Sequence, residues 1–469
     1  MEAFDNSEDA QLVDNSDAPY ATLNYWWGNT SDHDYTTTTA TLSKRQQRVH
    51  FSEMPKTIKD AFRFTAYLGL RYLWIDALCI IQDDARDWQE HAAIMGGIYY
   101  NSEVTLAVDR SSDVKSGCFS NSYGQVDMNP KSFVKVSNRL SNGRVSTLWL
   151  GRSQWRFPEI TESALSTRGW AYQERLLSRR VVHFTKKQLF WECNRLTIAE
   201  DGVSRSDSLE FTSDCQAIPS LVNPKPLWRY STPEQERHYW VHRWYISFIQ
   251  GDYSARQVSL QSDKLPALSS LARLFSKKIK SQYLAGLWRC NLLASLCWHV
   301  RSLSGPRRSE DGHPTWSWTS VNAPVAWNNP IEAEFYHRCD IGLWRATIED
   351  ATVQLAGTDE FGRVVGGHLK IRGYSVKGII DNGVIVFHNE MGIDLRKGCE
   401  QIIIDTNVDP GAVLEFLAII SNLYSVYIHV LAPHGATYRR VGITKISIEA
   451  FDRISKEIGD YQTKTFVIV

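Results

Sequence analysis

The first hundred residues alternate strand patterns with helix patterns, and this alternation constrains the fold more than any other feature. Pro55 near the start and Gly69 at the end delimit the first helix, and apolar residues three or four apart mark one face of the second. The predicted elements are strand 20–25, helix 54–69, strand 72–81, helix 85–100 and strand 104–108. Strands joined through helices pair in parallel with right-handed crossovers. The sequence therefore predicts an α/β fold with a parallel sheet.

The rest of the chain carries further helix and strand patterns. These are helix 166–180, a hairpin of strands 181–184 and 188–193, a proline-rich linker over 216–233, helices within 235–297, two strands within 412–432 and other short strands beyond residue 330. We therefore predict a loose acidic N-terminus over 1–19, an α/β domain over 20–215, a helical region over 216–330 and a β-rich region over 331–469.

The charge balance argues against nucleic acid and against an anionic membrane surface as partners. Lys and Arg total 52, Asp and Glu total 52, and no basic stripe interleaved with aromatic residues is present. The apolar run 412–432 is interrupted by Glu415 and His429, which favours strands over a membrane span. The acidic N-terminus lacks the apolar segment of a signal peptide. We therefore expect a cytoplasmic protein.

Familiar catalytic and cofactor motifs are absent from the sequence. It contains no phosphate-binding P-loop, no dinucleotide-binding glycine motif, no nucleophile elbow and no HExxH zinc motif. His238 and His242 have a ligand-like spacing but no accompanying acid, and the eight cysteines form no CxxC pair. We predict neither a metal nor a bound cofactor.

Asp76 is the first candidate for a functional residue, because it lies within the apolar run 72–81. A carboxylate in an apolar strand is costly unless it is paired or hydrogen-bonded. At the carboxyl end of a parallel strand, however, such a group commonly faces a ligand crevice. Asp76 could equally cap the following loop or hold Arg71 or Arg86, and the sequence leaves both interpretations open.

Glu90 is the second candidate, on the helix that follows this strand. A glutamate that borders the same crevice could act as an acid, a base or a ribose ligand. The alternative is a solvated position on the exposed face of the helix.

The segment Arg168-Gly-Trp-Ala-Tyr-Gln-Glu-Arg175 concentrates cations, an acid and an amide around aromatic residues. Arginine guanidinium groups and a Gln–Glu pair can bind phosphate or ribose. The same residues can also join a helix to its neighbours through buried salt bridges. Arg168, Trp170, Gln173 and Glu174 are the candidates for ligand binding in this segment.

These segments, in this order, resemble the fungal heterokaryon-incompatibility (HET) domain family. The resemblance rests on Tyr20-Ala-Thr-Leu-Asn-Tyr-Trp-Trp-Gly28, Met54-Pro-Lys-Thr-Ile58, Leu68-Gly-Leu-Arg-Tyr-Leu-Trp-Ile-Asp-Ala-Leu-Cys-Ile-Ile-Gln-Asp83, Met95-Gly-Gly-Ile-Tyr-Tyr100 and Thr167-Arg-Gly-Trp-Ala-Tyr-Gln-Glu-Arg-Leu-Leu-Ser178. It implies a fungal intracellular protein of non-self recognition and programmed cell death. It also implies a TIR-like, flavodoxin-like core.

Some TIR domains cleave NAD⁺ with a glutamate on a helix beside the nucleotide pocket. By that resemblance Asp76 and Glu90 are expected to be catalytic. The pocket walls would be Tyr25, Trp27, Gly28, Arg168, Trp170, Gln173 and Glu174.

The sequence departs from the common family pattern in two places. Asn24 stands where the family has serine, and the short region before Tyr20 suggests that an initial strand is missing. No sensor repeats are recognisable after the domain, which leaves two further hypotheses open. One is an enzyme of secondary metabolism that acts on a hydrophobic small molecule in a Trp-lined cavity. The other is a non-enzymatic signalling module that forms a homo-oligomer.

Overall fold

The computed structural model divides the chain into two compact units, Met1–Gln216 and Ala217–Val469. The residues described are 2–3, 9–13, 17–28, 34–120, 133–139, 143–151, 157–202, 204–206, 232–301, 312–327, 345–381, 384–388, 394–396, 401–409, 411–422, 424–458 and 463–469.

The first unit is built on a ten-stranded sheet with the order β12-β11-β10-β9-β6-β3-β5-β1-β2-β4. Its strands are β1 (Glu2–Ala3), β2 (Asp9–Gln11), β3 (Tyr20–Asn24), β4 (Val49–His50), β5 (Tyr72–Trp74), β6 (Val104–Ala107), β9 (Arg180–Phe184), β10 (Leu189–Cys193), β11 (Leu196–Ala199) and β12 (Ser204–Ser206), while β7 (Phe133–Arg139) and β8 (Val145–Gly151) form a separate hairpin. The four central strands β9, β6, β3 and β5 are parallel, and the outer strands pair antiparallel. The predicted α/β class with parallel strands is confirmed for this centre.

The helices of the first unit connect these strands. They are α1 (Leu42–Gln47), α2 (Lys56–Tyr67), α3 (Asp76–Cys79), α4 (Ala85–Asn101), α5 (Pro158–Thr161) and α6 (Gly169–Leu177), with 3₁₀ turns at Phe51–Glu53 and Leu165–Thr167. Asp84 caps the N-terminus of helix α4, because its side chain accepts hydrogen bonds from the backbone N–H groups of Arg86 and Asp87. Ala92, Met95 and Tyr99 form its buried face, as their spacing predicts.

The predicted strand 72–81 is wrong beyond Trp74. Asp76 is the first residue of the short helix α3, and its Oδ1 accepts a hydrogen bond from the Ala77 N–H at 2.7 Å. The Gln82 side chain closes the turn by donating to the carbonyl oxygens of Asp76 and Ile80, both at 3.0 Å. Helix 166–180 is likewise shorter than predicted, because Arg168 is extended and separates a 3₁₀ turn from α6.

Two other expectations about the first unit have clear outcomes. The predicted hairpin is confirmed, because β9 and β10 pair antiparallel from Phe184–Leu189 to Arg180–Cys193. The expectation that a strand before Tyr20 is missing is wrong. Strands β1 and β2 lie within residues 1–19, which were predicted to be loose, and β1 pairs with β5.

The second unit contains a helical part and a nine-stranded sheet. Its helices are α7 (Pro233–His242), which continues as a π-helix (Arg243–Gln250), α8 (Ser269–Ile279), α9 (Leu292–Ser295) and α10 (Ile448–Ile458), with 3₁₀ turns at Tyr253–Ala255, Gln261–Asp263, Pro266–Leu268, Arg289–Asn291 and Trp318–Ser320. Its strands are β13 (Tyr283–Leu284), β14 (Leu287–Trp288), β15 (Trp298–Val300), β16 (Val325–Trp327), β17 (Ala346–Leu355), β18 (Val364–Asp381), β19 (Val384–His388), β20 (Asp394–Arg396), β21 (Gln401–Ile404), β22 (Leu414–Ser421), β23 (Ser425–His434), β24 (Thr437–Ser447) and β25 (Thr463–Ile468).

The predicted β-rich C-terminal region is confirmed, and so are the two strands within 412–432, which are β22 and β23. Helix was predicted within residues 235–297, and this prediction is wrong for residues 283–288. There the chain forms the hairpin β13–β14, in which Ala285 and Gly286 have φ angles of 49° and 92°. Two consecutive positive φ angles are typical of a tight type I′ turn. The predicted linker 216–233 lies outside the described residues apart from its end.

Tryptophan has two different environments in this chain. Six indole rings of the second unit are completely buried, namely Trp240, Trp244, Trp288, Trp298, Trp316 and Trp318. They fill its core, as the composition predicts for most large rings. In the first unit Trp27, Trp74, Trp88 and Trp170 are only partly buried, and the last three pack against the buried residues Ile80, Met95 and Tyr99.

Candidate functional site

Polar side chains gather where the central parallel strands end. Tyr25 and Trp27 follow β3 directly, and Asp76 follows β5. The Trp27 indole Nε1–H donates a hydrogen bond to Asp76 Oδ2 at 2.9 Å, which joins the two strand ends. The carboxyl ends of parallel strands are where ligands bind in open α/β sheets.

Asp76 is densely surrounded by protein atoms, is partly accessible to solvent and has hydrogen-bond donors that suit an ionised carboxylate. One of its oxygens accepts from Trp27 and the other from the Ala77 N–H, so both carry a donor. Protein atoms surround the group densely, which raises its pKa to about 6, against the opposing effects of Arg168 and the two donors. The residue nevertheless keeps partial solvent exposure. At pH 7 Asp76 is therefore a carboxylate that a ligand can reach.

Arg168 supplies the positive charge of this site. It precedes α6, and its extended backbone directs the chain away from the preceding 3₁₀ turn. Its Nη1 donates to the Tyr25 carbonyl oxygen at 2.7 Å, and its guanidinium lies 5.8 Å from the centre of the Trp26 ring. The guanidinium is close enough to Asp76 to lower the pKa of that carboxyl.

Glu174 brings a second carboxyl group to the same place. Its side chain is on α6 and only 8% of the residue is exposed. Burial, and then the negative charge of Asp76, raise the pKa of Glu174 to about 8, while Arg168 and Tyr99 act in the opposite direction. Tyr99, from α4, donates its hydroxyl proton to the Leu23 carbonyl oxygen at 3.1 Å, and burial and then the negative charge of Glu174 raise its pKa well above the usual value. We call Trp27, Asp76, Tyr99, Arg168 and Glu174 the carboxyl cluster.

The other residues predicted to line a pocket, Tyr25, Trp170 and Gly28, each have a distinct structural environment. The Tyr25 hydroxyl is 3.3 Å from that of Tyr35, and its pKa is well above the usual value because of burial and then Asp76. The Trp170 ring makes an edge-on contact with Trp88 at 5.9 Å. Gly28 has a φ of +89°, a conformation that favours glycine.

Gln173 is the most deeply buried of the predicted residues, with no solvent exposure. Neither its amide oxygen nor its amide nitrogen has a hydrogen-bond partner in the part of the chain that the structure describes. An unpaired buried amide costs folding free energy, about 1–3 kcal/mol.

Glu90 is not part of the carboxyl cluster. Its side chain is 63% exposed, and Oε1 pairs with the Nε of Arg86 on the same helix at 2.9 Å. Glu90 is nine residues from Tyr99, or about two and a half turns of α4, so the two project from opposite faces. The structure does not bring Glu90 to Asp76.

Sequence reasoning missed Tyr99 and Tyr35 as neighbours of Asp76. The position of Tyr99 on the apolar face of α4 indicated a core residue, which it also is, and its hydroxyl gave no further signal. Tyr35 lies in a Thr-rich stretch without any helix or strand periodicity.

A second polar cluster lies beside α6 and is largely buried. His183 is 1% exposed, and its two ring nitrogens lie 2.7 Å from Asp109 Oδ2 and 2.7 Å from Glu192 Oε2. Arg175 contacts both oxygens of Glu192 at 2.9 and 3.1 Å, and Ser163 donates to Asp109 at 2.6 Å. Its charges balance, and it attaches α6 to strand β10. We interpret it as a structural network that holds the helix carrying Glu174.

Metal ligation has no support among the described residues, where no three His, Cys, Asp or Glu side chains are grouped to hold an ion. The same residues include no helix with the length and apolar character needed to cross a membrane.

The first unit is thus an α/β domain with a carboxyl cluster at the ends of its central parallel strands. Residues 20–174 match the family described as heterokaryon incompatibility protein (HET). The resemblance is confirmed for this part of the chain, about a third of it, which includes every member of the carboxyl cluster and ends at Glu174. No curated protein and no solved structure matches the chain.

Proposed function

We propose that the chain is a HET-domain protein of fungal non-self recognition and programmed cell death, and that its domain cleaves a nicotinamide dinucleotide. The observation that carries the chemical part is Asp76. It is a carboxylate with partial solvent access, beside Arg168 and the Trp27 ring, at the ends of parallel strands.

The order of the central strands supports a TIR-like core. Numbered along the chain from β3, the four parallel strands lie in the order 2-1-3-4. Flavodoxin-like sheets begin with the same order, and their ligands bind where the order reverses, beside the first strand. Tyr25 and Trp27 follow that first strand, so a nucleotide bound there would meet the carboxyl cluster.

The chemistry needs one negative charge near the ribose. The bond between ribosyl C1′ and the pyridinium nitrogen breaks, and its electron pair passes to that nitrogen, so nicotinamide leaves as a neutral molecule. Positive charge develops on the ribose, and the Asp76 carboxylate stabilises it. Water adds to C1′ and loses a proton to Asp76 and then to solvent. Arg168 is suited to a phosphate oxygen, and the partly buried indole rings to the nicotinamide ring.

The first test is release of nicotinamide from NAD⁺ by the purified full chain, measured by chromatography. We expect Asp76→Asn to lower the rate by about 10²–10³-fold, because the neutral amide cannot stabilise the developing charge. Glu90→Gln is the matched control and should retain the wild-type rate, because Glu90 is exposed and paired with Arg86.

Three outcomes would decide against parts of this proposal. Absence of turnover by the wild-type chain rejects dinucleotide cleavage. An unchanged rate in Asp76→Asn removes Asp76 from the chemistry. Loss of activity in Glu90→Gln would restore Glu90 as a catalytic group.

The partly buried rings of Trp27, Trp88 and Trp170 favour one other candidate, an enzyme that acts on a hydrophobic metabolite. Quenching of tryptophan fluorescence by apolar fungal metabolites, together with no quenching by NAD⁺, would select this alternative. A cell-death phenotype that persists in Asp76→Asn would instead favour a non-enzymatic, self-associating module.

A further inference from the structure

We propose that the exposed side of helix α2 docks the protein on an anionic lipid membrane, with basic side chains at the headgroups and large apolar side chains between them. The residues concerned are Lys59, Arg63, Tyr67, Leu68 and Phe119, and we call them the α2 surface. None of them belongs to the carboxyl cluster, so the proposal does not depend on the function proposed above.

The spacing of residues along α2 separates an exposed stripe from a buried one. Lys56, Lys59, Arg63 and Tyr67 follow one another at intervals of three or four residues, so they share one side of the helix. The other sides face the core through the buried residues Thr57, Ile58, Ala61, Phe62 and Thr65. The orientation of α2 therefore presents this one stripe to solvent.

The exposed stripe of α2 has a net positive charge. Asp60 is the one acid in the sequence of α2; it is 3% exposed and forms an ion pair of 2.6 Å with Lys56. Asp60 thus compensates Lys56, and Lys59 and Arg63 give the stripe its net charge. Arg71, shortly after the helix, is a further exposed cation. The equal totals of basic and acidic residues in the whole chain do not reveal this local basic surface.

Large apolar side chains protrude at the C-terminal end of the same stripe. Tyr67 is 84% exposed, and Leu68, which follows it, is 42% exposed. The half-buried Phe64 ring has its centre 6.1 Å from that of Tyr67 and 6.2 Å from that of Phe119, which is 39% exposed. Folding thus leaves adjacent apolar groups in water, and covering them is favourable.

Charge and shape together select an anionic membrane as the partner. Side chains that protrude at a helix end do not enclose a partner segment, but they can enter the boundary between headgroups and acyl chains. Tyrosine suits that boundary, because its ring is apolar and its hydroxyl is polar. Each Lys or Arg beside it gains about fivefold in affinity from negatively charged headgroups. An acidic peptide would match the charge of the α2 surface, whereas an anionic membrane matches its charge and its apolar groups.

The test is co-sedimentation of the purified full chain with vesicles of equal parts phosphatidylcholine and phosphatidylserine, compared with vesicles of phosphatidylcholine alone. We expect binding to the anionic vesicles, and loss of most of it at high salt, because salt screens the attraction between charges. Arg63→Glu should weaken the affinity by about 30-fold, since it removes a cation and adds an anion. Tyr67→Ser should weaken it by roughly tenfold, because apolar contact with the lipid is lost.

Two exposed residues of the second unit provide matched controls. Tyr424, which precedes β23, is 76% exposed, and Arg453 is an exposed cation on helix α10. Tyr424→Ser and Arg453→Glu make the same replacements away from α2 and should keep the wild-type affinity. Circular dichroism should show the wild-type fold in all four variants, because each changes an exposed side chain.

Three results would overturn the proposal. Equal sedimentation with both kinds of vesicle, or none with either, would show that anionic lipid is not the partner. Equal weakening by Arg63→Glu and Arg453→Glu would mean that only the total charge of the chain matters. Binding to soluble polyglutamate without binding to vesicles would assign the α2 surface to an acidic protein segment instead.

Discussion

Arg440 is a fully buried cation in the second unit, and its partners explain how the fold tolerates it. Neither Arg440 nor Asp405 has solvent exposure, and Arg440 Nε lies 3.2 Å from Asp405 Oδ2. The guanidinium stacks 3.5 Å from the centre of the Trp298 ring and donates to the carbonyl oxygens of Leu296 and Trp298. The buried cation is thus surrounded by a carboxylate, an aromatic ring and two carbonyl acceptors, which compensate its loss of water.

We therefore expect Arg440→Met to lower the free energy of unfolding by about 3–5 kcal/mol, because Asp405 would keep a buried charge without its cation. The double variant Arg440→Met/Asp405→Leu should regain most of this loss, since both charges are gone. Urea unfolding followed by circular dichroism measures both values. Equal stability of the single and double variants would contradict this account.

Single residues in the candidate site were predictable where their chemistry conflicts with their surroundings. Asp76 stands out within an apolar run, and Arg168 and Glu174 stand out because they belong to a dense group of charged, amide and aromatic side chains. Their joint position was not predictable, because it depends on which strand ends become neighbours. The exposure of Glu90 could have been read from helix periodicity, since Glu90 and Tyr99 are two and a half turns apart. The family resemblance predicts a catalytic Glu90, whereas the exposed position of Glu90 on its helix does not support that role.

The hairpin β13–β14 shows how a two-residue turn organises a group of tryptophans. The Gly286 carbonyl oxygen accepts from the indole N–H groups of Trp244 and Trp318 at 3.1 and 3.2 Å. A Cβ atom at Gly286 would lie 2.5 Å from Trp318 Nε1, and the φ of +92° disfavours any side chain. The turn therefore needs glycine for two separate reasons.

We expect Gly286→Ala to lower the free energy of unfolding by roughly 2–5 kcal/mol, from backbone strain plus displacement of Trp318. Gly435→Ala is the matched control. Gly435 has a φ of +60° with nothing within 4 Å of the added Cβ, so only the strain of about 1 kcal/mol applies. Similar losses in both variants, measured by urea unfolding, would show that Trp318 does not contribute.

The two segments whose secondary structure was predicted wrongly were mispredicted for the same physical reason. Residues 72–81, predicted as a strand, and residues 283–288, predicted as helical, are short apolar runs, and periodicity alone does not distinguish strand, helix and turn in such runs. In both places polar contacts from distant residues decide the outcome: Trp27 bonds Asp76, and Trp318 bonds Gly286. Longer periodic segments such as α4 and β22–β23 were predicted correctly because their own burial pattern determines them.

The two carboxyl groups of the carboxyl cluster, Asp76 and Glu174, also make the stability of the chain depend on pH. The pKa of Glu174 rises from 4.5 to about 8 on folding, and that of Asp76 from 3.8 to about 6. At a pH between the unfolded and the folded pKa of each group, the folded chain still holds a proton that the unfolded chain has released. By proton linkage, this contribution makes the folded state less stable as pH increases from about 4 to about 8.

We expect Glu174→Gln to change this dependence in a defined direction. The variant should gain stability relative to wild type as pH rises from 5 to 8, by several kcal/mol at about 1.4 kcal/mol for each pKa unit. The difference between the two urea unfolding free energies at each pH isolates the Glu174 contribution. A difference that stays constant across this range would mean that Glu174 has no raised pKa.

The strand and helix order of the first unit also has a consequence for protein synthesis. Trp27 and Asp76 leave the ribosome early, whereas Arg168 and Glu174 emerge only at the end of the HET match. Domains generally fold as units once their sequence is complete. A nascent chain, or a product shortened before residue 168, thus contains Asp76 without its cation and without the second acid. The carboxyl cluster is therefore complete only after the chain has been synthesised through Glu174.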